Sequence, residues 1–200
     1  MKKSLALAAV ILVLGGCSVS SQKAHPIATY DLGVAPTASA RPIAASLLVA
    51  DVEAPQWLQG RSILYRLAYQ NDKQLQPYAN SKWVAPPAEL LSLRLRQYFA
   101  SSQTSSPEDR IRASFLLRIE LETFEQVFVS PSSSQGVLRA KATLIDARER
   151  RLISQKTFAI EQASGSPDAA GGVVALSAAS EQLTQAVHDW VITSLARGPG

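Results

Sequence analysis

Between Phe115 and Glu122 the alternation is clear: Phe115, Leu117, Ile119 and Leu121 fall on one side, Arg118, Glu120 and Glu122 on the other. That order fits a strand with one face in a core and one in water, because successive side chains of an extended chain point to opposite faces. A second run repeats it, with Leu138, Ala140, Ala142 and Leu144 inward and Arg139, Lys141 and Thr143 outward. Pro131 to Gly136 turns the chain between them, and Asp146 to Arg150 turns it again into a third strand over Leu152 to Glu161. Half-buried strands joined by turns make an antiparallel meander, whose apolar face must be covered by another layer. After the break at Ser164-Gly165-Ser166-Pro167, Leu176, Ala179, Leu183, Ala186, Val187, Trp190, Val191 and Leu195 recur at spacings of three and four. This predicts a long amphipathic helix, which supplies the cover.

Upstream, Tyr30-Asp31-Leu32 reads as a short first strand and Thr37 to Pro42 as the loop after it. Leu47 to Val52 is a compact β-rich run ending at Ala54-Pro55, and Ser62 to Tyr69 is a second; the two can pair around a connection built by Pro55 and Gly60. Asn71-Asp72-Lys73 is a turn signal that returns the chain as a further strand over Gln74 to Tyr78. Pro86-Pro87 opens a helix, where a missing N–H costs nothing, and Leu90, Leu91, Leu95 and Tyr98 give it an apolar side to its end near Ala100. Ser101 to Arg110 is a solvent loop by composition. The expected fold class is α+β: a single domain with an antiparallel β-sheet of about five to seven strands and two main helices packed on it.

The N-terminus follows a different rule. Met1, Lys2 and Lys3 precede an apolar run from Leu5 to Leu14, which ends in Gly15, Gly16 and Cys17. As a helix that run reaches roughly 15 Å, half of a ~30 Å hydrocarbon core, so residues 1–16 read as an export signal rather than a membrane span. Leu14-Gly15-Gly16-Cys17 resembles the lipobox of bacterial lipoproteins, with Gly15 where that pattern more often has Ala or Ser. The resemblance implies that Cys17 becomes the first residue of the mature chain and carries a thioether-linked diacylglycerol and an N-acyl chain. Two or more acyl chains, at about 0.8 kcal/mol per buried methylene, make a stable anchor where one is marginal. By the same resemblance, Ser18 rather than Asp favours delivery to the outer membrane over the inner. Ser18 to Ala28 is polar and aperiodic and reads as a tether. The organisation is then 1–16 signal, 17–28 lipidated N-terminus and tether, 29–196 folded domain, and 197–200 disordered tail.

Removing 16 of 200 residues leaves 184, enough for one domain with a proper core. The net charge of +4 includes Lys2 and Lys3 and is not a nucleic-acid footprint. Cys17 is the only cysteine, so the fold is held by packing without a disulfide. Of the two histidines, His25 lies in the tether and His188 on the polar side of the last helix, and neither has the neighbours for a metal site or a triad. No serine stands in a Gly-x-Ser-x-Gly elbow, and there is no Gly-x-x-x-x-Gly-Lys-Ser/Thr nucleotide loop. The chain is expected to be neither an enzyme nor a motor, with no metal and no cofactor beyond its covalent lipid. Trp57, Tyr65, Tyr78 and Trp83 form an aromatic group, and Trp57, Tyr65 and Trp83 are the candidates for partner binding, since such residues anchor protein interfaces; the other role open to them is to fill the core. Arg61 and Arg66 can pair with carboxylates of a partner or with Asp51 and Glu53. The Leu- and Val-rich strands would line a lipid groove or an ordinary core equally well.

Two stretches carry a family resemblance: Val49-Ala50-Asp51-Val52-Glu53-Ala54-Pro55-Gln56-Trp57-Leu58 with Ile63-Leu64-Tyr65-Arg66-Leu67, and Ala79-Asn80-Ser81-Lys82-Trp83 before Pro86-Pro87. With Tyr30-Asp31-Leu32 and the order of elements after them, they resemble the auxiliary lipoproteins of ABC-type transport systems, which include the paraquat-inducible lipoprotein C group. The resemblance implies an accessory component that works with an MCE-domain periplasmic protein and an ABC transporter permease and ATPase complex, moving lipids or other hydrophobic molecules across the envelope. It implies action by partner binding, with assembly of several copies left open. The alternative is an outer-membrane structural or assembly lipoprotein unrelated to ABC transport.

Overall fold

A computed structural model describes residues 26–34, 41–103 and 113–197. Its elements are β1 (Ala28–Tyr30), β2 (Leu47–Val49), a 3-10 turn (Gln56–Leu58), β3 (Ser62–Leu67), β4 (Leu75–Trp83), α1 (Pro87–Ser102), β5 (Phe115–Ser130), β6 (Ser133–Asp146), β7 (Arg151–Ala163) and α2 (Ala169–Arg197). The predicted signal, Cys17, Ser18, His25 and most of the two predicted loops fall outside the described residues.

The meander is present and longer than the alternation foretold. β5 and β6 pair from Phe115 opposite Asp146 to Ser130 opposite Ser133, and β7 pairs with β6 over most of its length. The extra length of β5 is hidden by a bulge, because Leu121 faces Ala140 and Thr123 faces Arg139, leaving one residue over. An extra residue in a strand inverts its in-and-out parity. Leu117, Ile119 and Leu121 therefore point inward before the bulge, and Phe124, Gln126 and Phe128 after it.

The sheet is mixed, which corrects the expectation of an antiparallel one. Its order is β1-β4-β3-β5-β6-β7, with β2 also on β5. β1 runs parallel to β4, and both β2 and β3 run parallel to β5. β2 and β3 do not pair with each other as expected. They lie in succession on one edge of β5, β2 at Phe115 to Leu117 and β3 at Gln126 to Phe128, while β4 returns antiparallel beside β3. The first strand also starts earlier than predicted. Asp31 leaves it because its carboxylate accepts the N–H of Gly33 (2.8 Å), which turns the chain at a positive φ of 72°.

Both helices cover one face of the sheet, and α2 packs directly on β6 and β7. At Gly136, an inward position of β6, a Cβ would stand 2.8 Å from the N of Leu176 and 2.9 Å from the C of Ala175. The helix backbone thus rests on the strand backbone there. Opposite Gly136, the buried amide of Gln126 accepts from the hydroxyl of Tyr78 (2.8 Å) and donates to Ser134 Oγ (2.8 Å). Burial pushes the Tyr78 phenol up to about 12, with Tyr65 and Asp168 adding to the effect.

α2 is 29 residues long and is covered on two sides, by the sheet and by α1. That double cover corrects the placement of His188 on a polar side. Ser180, Thr184 and His188, at helical spacing, are each 0% exposed. The hydroxyls are satisfied on their own helix, Ser180 donating to Leu176 O and Thr184 to Ser180 O. The His188 ring packs against Tyr98 and Phe99 of α1, with ring centroids 5.4 and 5.8 Å away. α1 also holds the buried Arg94, which donates to the carbonyls of Leu32 and Gly33 and fixes the segment after β1. Burial lowers the Arg94 guanidinium from its ordinary value, against the opposing pull of Glu181 and Asp31.

Asp168 caps α2: its carboxylate accepts from the N–H of Gly171 and from the Ser166 hydroxyl, and these bonds hold it below the ordinary carboxylate range. A lowered carboxyl contributes stability above its unfolded-state value, and loses that contribution as the pH falls through its folded-state value. Asp168→Ala should therefore cost about 1 kcal/mol at neutral pH. Thermal unfolding of the two chains should converge as the solution is made strongly acid, and a gap independent of pH would contradict the cap.

Candidate functional site

Parallel pairing along β5 is interrupted once. Ala50 donates to Leu117 O (3.0 Å), Glu53 to Ile119 O (2.9 Å), and Leu121 to Glu53 O (2.8 Å). Two residues later stands Pro55, which has no N–H to continue the ladder, and the chain leaves β5 through the 3-10 turn. It rejoins β5 where Tyr65 faces Gln126. The stretch of β5 passed over in this way contains the bulge between Leu121 and Thr123.

The turn separates two adjacent apolar side chains. Leu58 enters the core at 3% exposure, and Trp57 stands in solvent at 65%. Trp57 borders two hollows, one of about 410 Å³ lined also by Glu53, Pro55, Glu120 and Leu121, and one of about 360 Å³ lined also by Leu58, Arg66, Leu75 and Phe124. Three carboxylates beside them are already paired: Glu120 with Lys141 (2.6 Å), Glu122 with Arg139 (2.6 Å), and Glu125 with Arg66 in a fork of 2.8 and 3.0 Å. The hydrogen bond to Glu125 raises the Arg66 guanidinium, and that to Glu120 raises the Lys141 ammonium. Among the described residues Glu53 has no cation within salt-bridge distance.

An exposed indole between two hollows, ringed by charges that are compensated except at Glu53, has the make-up of a contact centre: an apolar anchor with a polar rim that a partner can cover without stranding many charges. It has no constellation for acid, base or nucleophilic chemistry. Among the described residues no group of three or more His, Cys, Asp or Glu could hold a metal ion, and no helix is long and apolar enough to cross a membrane.

The three aromatic candidates do not form one surface. Trp83 is 1% exposed and packs against Phe124 with centroids 5.6 Å apart, so it fills the core and cannot touch a partner, a correction to its candidacy. Tyr65 is half-buried, packs against Tyr78 with centroids 4.5 Å apart and planes tilted by 38°, and donates its hydroxyl to Gln76 (3.0 Å). Trp57 alone of the three is open to solvent. Arg66 pairs with Glu125 rather than with Asp51 or Glu53, and Asp51 pairs with Arg96. Arg61 donates to the carbonyl of Val84. The hollows and their rim of glutamates were not legible beforehand; the only sequence signal for them is Pro55-x-Trp57-Leu58 set between two β-runs.

Over residues 30–188 the chain matches the family described as ABC-type transport auxiliary lipoprotein component. No curated protein matches it. Among solved structures, a protein from Xanthomonas campestris is 22% identical, with a TM-score of 0.74 over 84% of this chain and 97% of that one. A second crystal structure, of an uncharacterized protein, is 18% identical, with a TM-score of 0.61 over 83% of this chain and 99% of that one. At such identities these likenesses speak to the fold.

Proposed function

This chain belongs to the family of ABC-type transport auxiliary lipoprotein components, and on that premise we propose that it is a membrane-anchored periplasmic accessory of an ABC/MCE-type system that moves lipids or other hydrophobic molecules across the envelope. The observation that carries the reading is the family match over residues 30–188, which takes in nearly the whole described domain. In this reading Cys17 bears the diacylglycerol and N-acyl chain, and Ser18 directs the protein to the periplasmic face of the outer membrane. The domain acts by binding. Its partners are an MCE-domain periplasmic protein and the permease and ATPase complex, which provides the energy. Trp57 is the anchor of that contact, supported by its exposure and by the hollows beside it.

The test is recovery of the complex from native membranes after cross-linking and solubilisation. An MCE-domain protein or its permease is expected in the purified material, and the absence of both would reject the transport role. The anchor is tested separately. Cys17→Ser should leave a precursor that keeps residues 1–16 and takes up no radiolabelled palmitate; normal processing with label in that variant would refute acylation at Cys17.

A further inference from the structure

The first described residues of the domain lie beside a groove with apolar side chains in its wall. β1 and the residues after it meet the first turns of α2 at an open groove of about 530 Å³, lined by Tyr30, Leu32, Val84, Val173 and Val174 among others. On and beside that segment large apolar side chains stand in water: Ile27 at 55%, Val34 at 96%, Val84 at 49% and Val174 at 67% exposure. Scattered singly such residues need no explanation, but Val84 and Val174 line this groove together, and Ile27 and Val34 flank its β1 segment in the sequence. Cations stand beside them. Lys82 is the register partner of Thr29, and Arg61 donates to the carbonyl of Val84. The nearby Asp31 carboxylate is turned onto the N–H of Gly33.

The length of the tether says what covers this patch. Cys17 lies nine residues before Pro26, the first described residue. Nine residues span at most about 32 Å even when fully extended. A domain of this size has a radius of gyration near 16 Å and is roughly 40 Å across. An anchor at Cys17 therefore keeps the β1 end of the domain beside the bilayer, and cannot reach from the far edge of the sheet, where β7 lies.

We propose that the face bearing Ile27, Val34, Val84 and Val174 is the surface on which the domain rests against the membrane. The four side chains dip into the boundary between headgroups and acyl chains, and Lys82 and Arg61 sit at the level of the lipid phosphates. This inference rests on the reading of Cys17 as acylated. It gives the domain a fixed orientation relative to the membrane.

The acylated chain has no other cysteine, so a thiol introduced elsewhere is the only one open to a spin label. The full-length lipoprotein carrying Val84→Cys, Val174→Cys or Leu152→Cys is labelled and reconstituted into vesicles of phosphatidylethanolamine and phosphatidylglycerol. Leu152, 56% exposed at the start of β7, is the control. Labels at 84 and 174 should collide with dissolved oxygen several-fold more readily, relative to a water-soluble nickel chelate, than the label at 152. Equal ratios at all three positions, with acylated Cys17 confirmed by mass, would overturn the resting surface and leave the lipoprotein reading intact. Labels at 84 and 174 shielded from both reagents would also overturn it, in favour of a contact between copies. An unmodified Cys17 and a protein that stays out of the vesicles would overturn both readings together.

Discussion

Trp83→Ala should cost the domain about 3–5 kcal/mol in urea or thermal unfolding, the range for deleting a fully buried tryptophan, while Trp57→Ala should change stability by no more than about 0.5 kcal/mol. The two residues belong to the same aromatic group of the sequence and part company in the fold. Trp83 closes β4 with its ring against Phe124, and its removal leaves a cavity that the neighbouring strands cannot close. Trp57, 65% exposed, loses mostly solvent-facing surface on truncation. Binding should reverse the order of the effects. An exposed aromatic at the centre of an interface contributes about 2 kcal/mol or more, so Trp57→Ala should weaken capture of the transport partner by about 30-fold. Unfolding curves and pull-down titrations on the two variants separate the roles; a destabilised Trp57→Ala chain, or one that captures the partner normally, would remove Trp57 from the account.

Gly136→Val should be at least as damaging as the loss of Trp83, although it adds atoms instead of removing them. Even an alanine Cβ at this position stands under 3 Å from the backbone of α2 at Leu176 and Ala175, and a helix backbone cannot step aside as the end of a flexible side chain can. The N-terminal part of α2 would have to lift from the sheet, with the cap at Asp168 and the Gln126 network beneath Gly172 disturbed with it. Overpacking of this kind costs about 1–3 kcal/mol for one methyl, and more for a branched side chain. Gly136→Ala should thus be measurably weakened and Gly136→Val severely so. Gly165→Ala serves as a control, because a Cβ there meets nothing within 4 Å. Equal melting of all three chains would mean that α2 does not rest on β6 as described.

Which features could be read from the sequence follows from where the periodicity is clean. The strands through Leu117 and Leu144 and the long final helix could be placed because a single parity or a single helical stripe runs through them. β5 could be followed only to Glu122, since the bulge shifts its inward set from odd to even positions. Parallel pairing of β2 and β3 on β5 left no local mark. Strands 47–49 and 62–67 find their partner some 60 residues on, and nothing in a turn or a loop records such a choice. His188 looked like a surface residue because the sequence shows which side of a helix is apolar, but not that a second helix will lie over the other side. At the candidate site the turn at Pro55 was visible. Which of two adjacent side chains it would send outward, Trp57 or Leu58, was settled by the long-range fit to β5.

In this account a covered sheet presents two working surfaces: the Trp57 turn for a protein partner and the β1 face for a bilayer. The first is the central claim, and it predicts contact at a single side chain. A photo-activatable phenylalanine analogue placed at position 57 of the full-length lipoprotein, irradiated in native membranes, measures that contact directly. A covalent adduct with the MCE-domain protein or the permease is expected at position 57, and none from the same analogue at Leu152. No adduct at 57, or equal adducts at both positions, would contradict it.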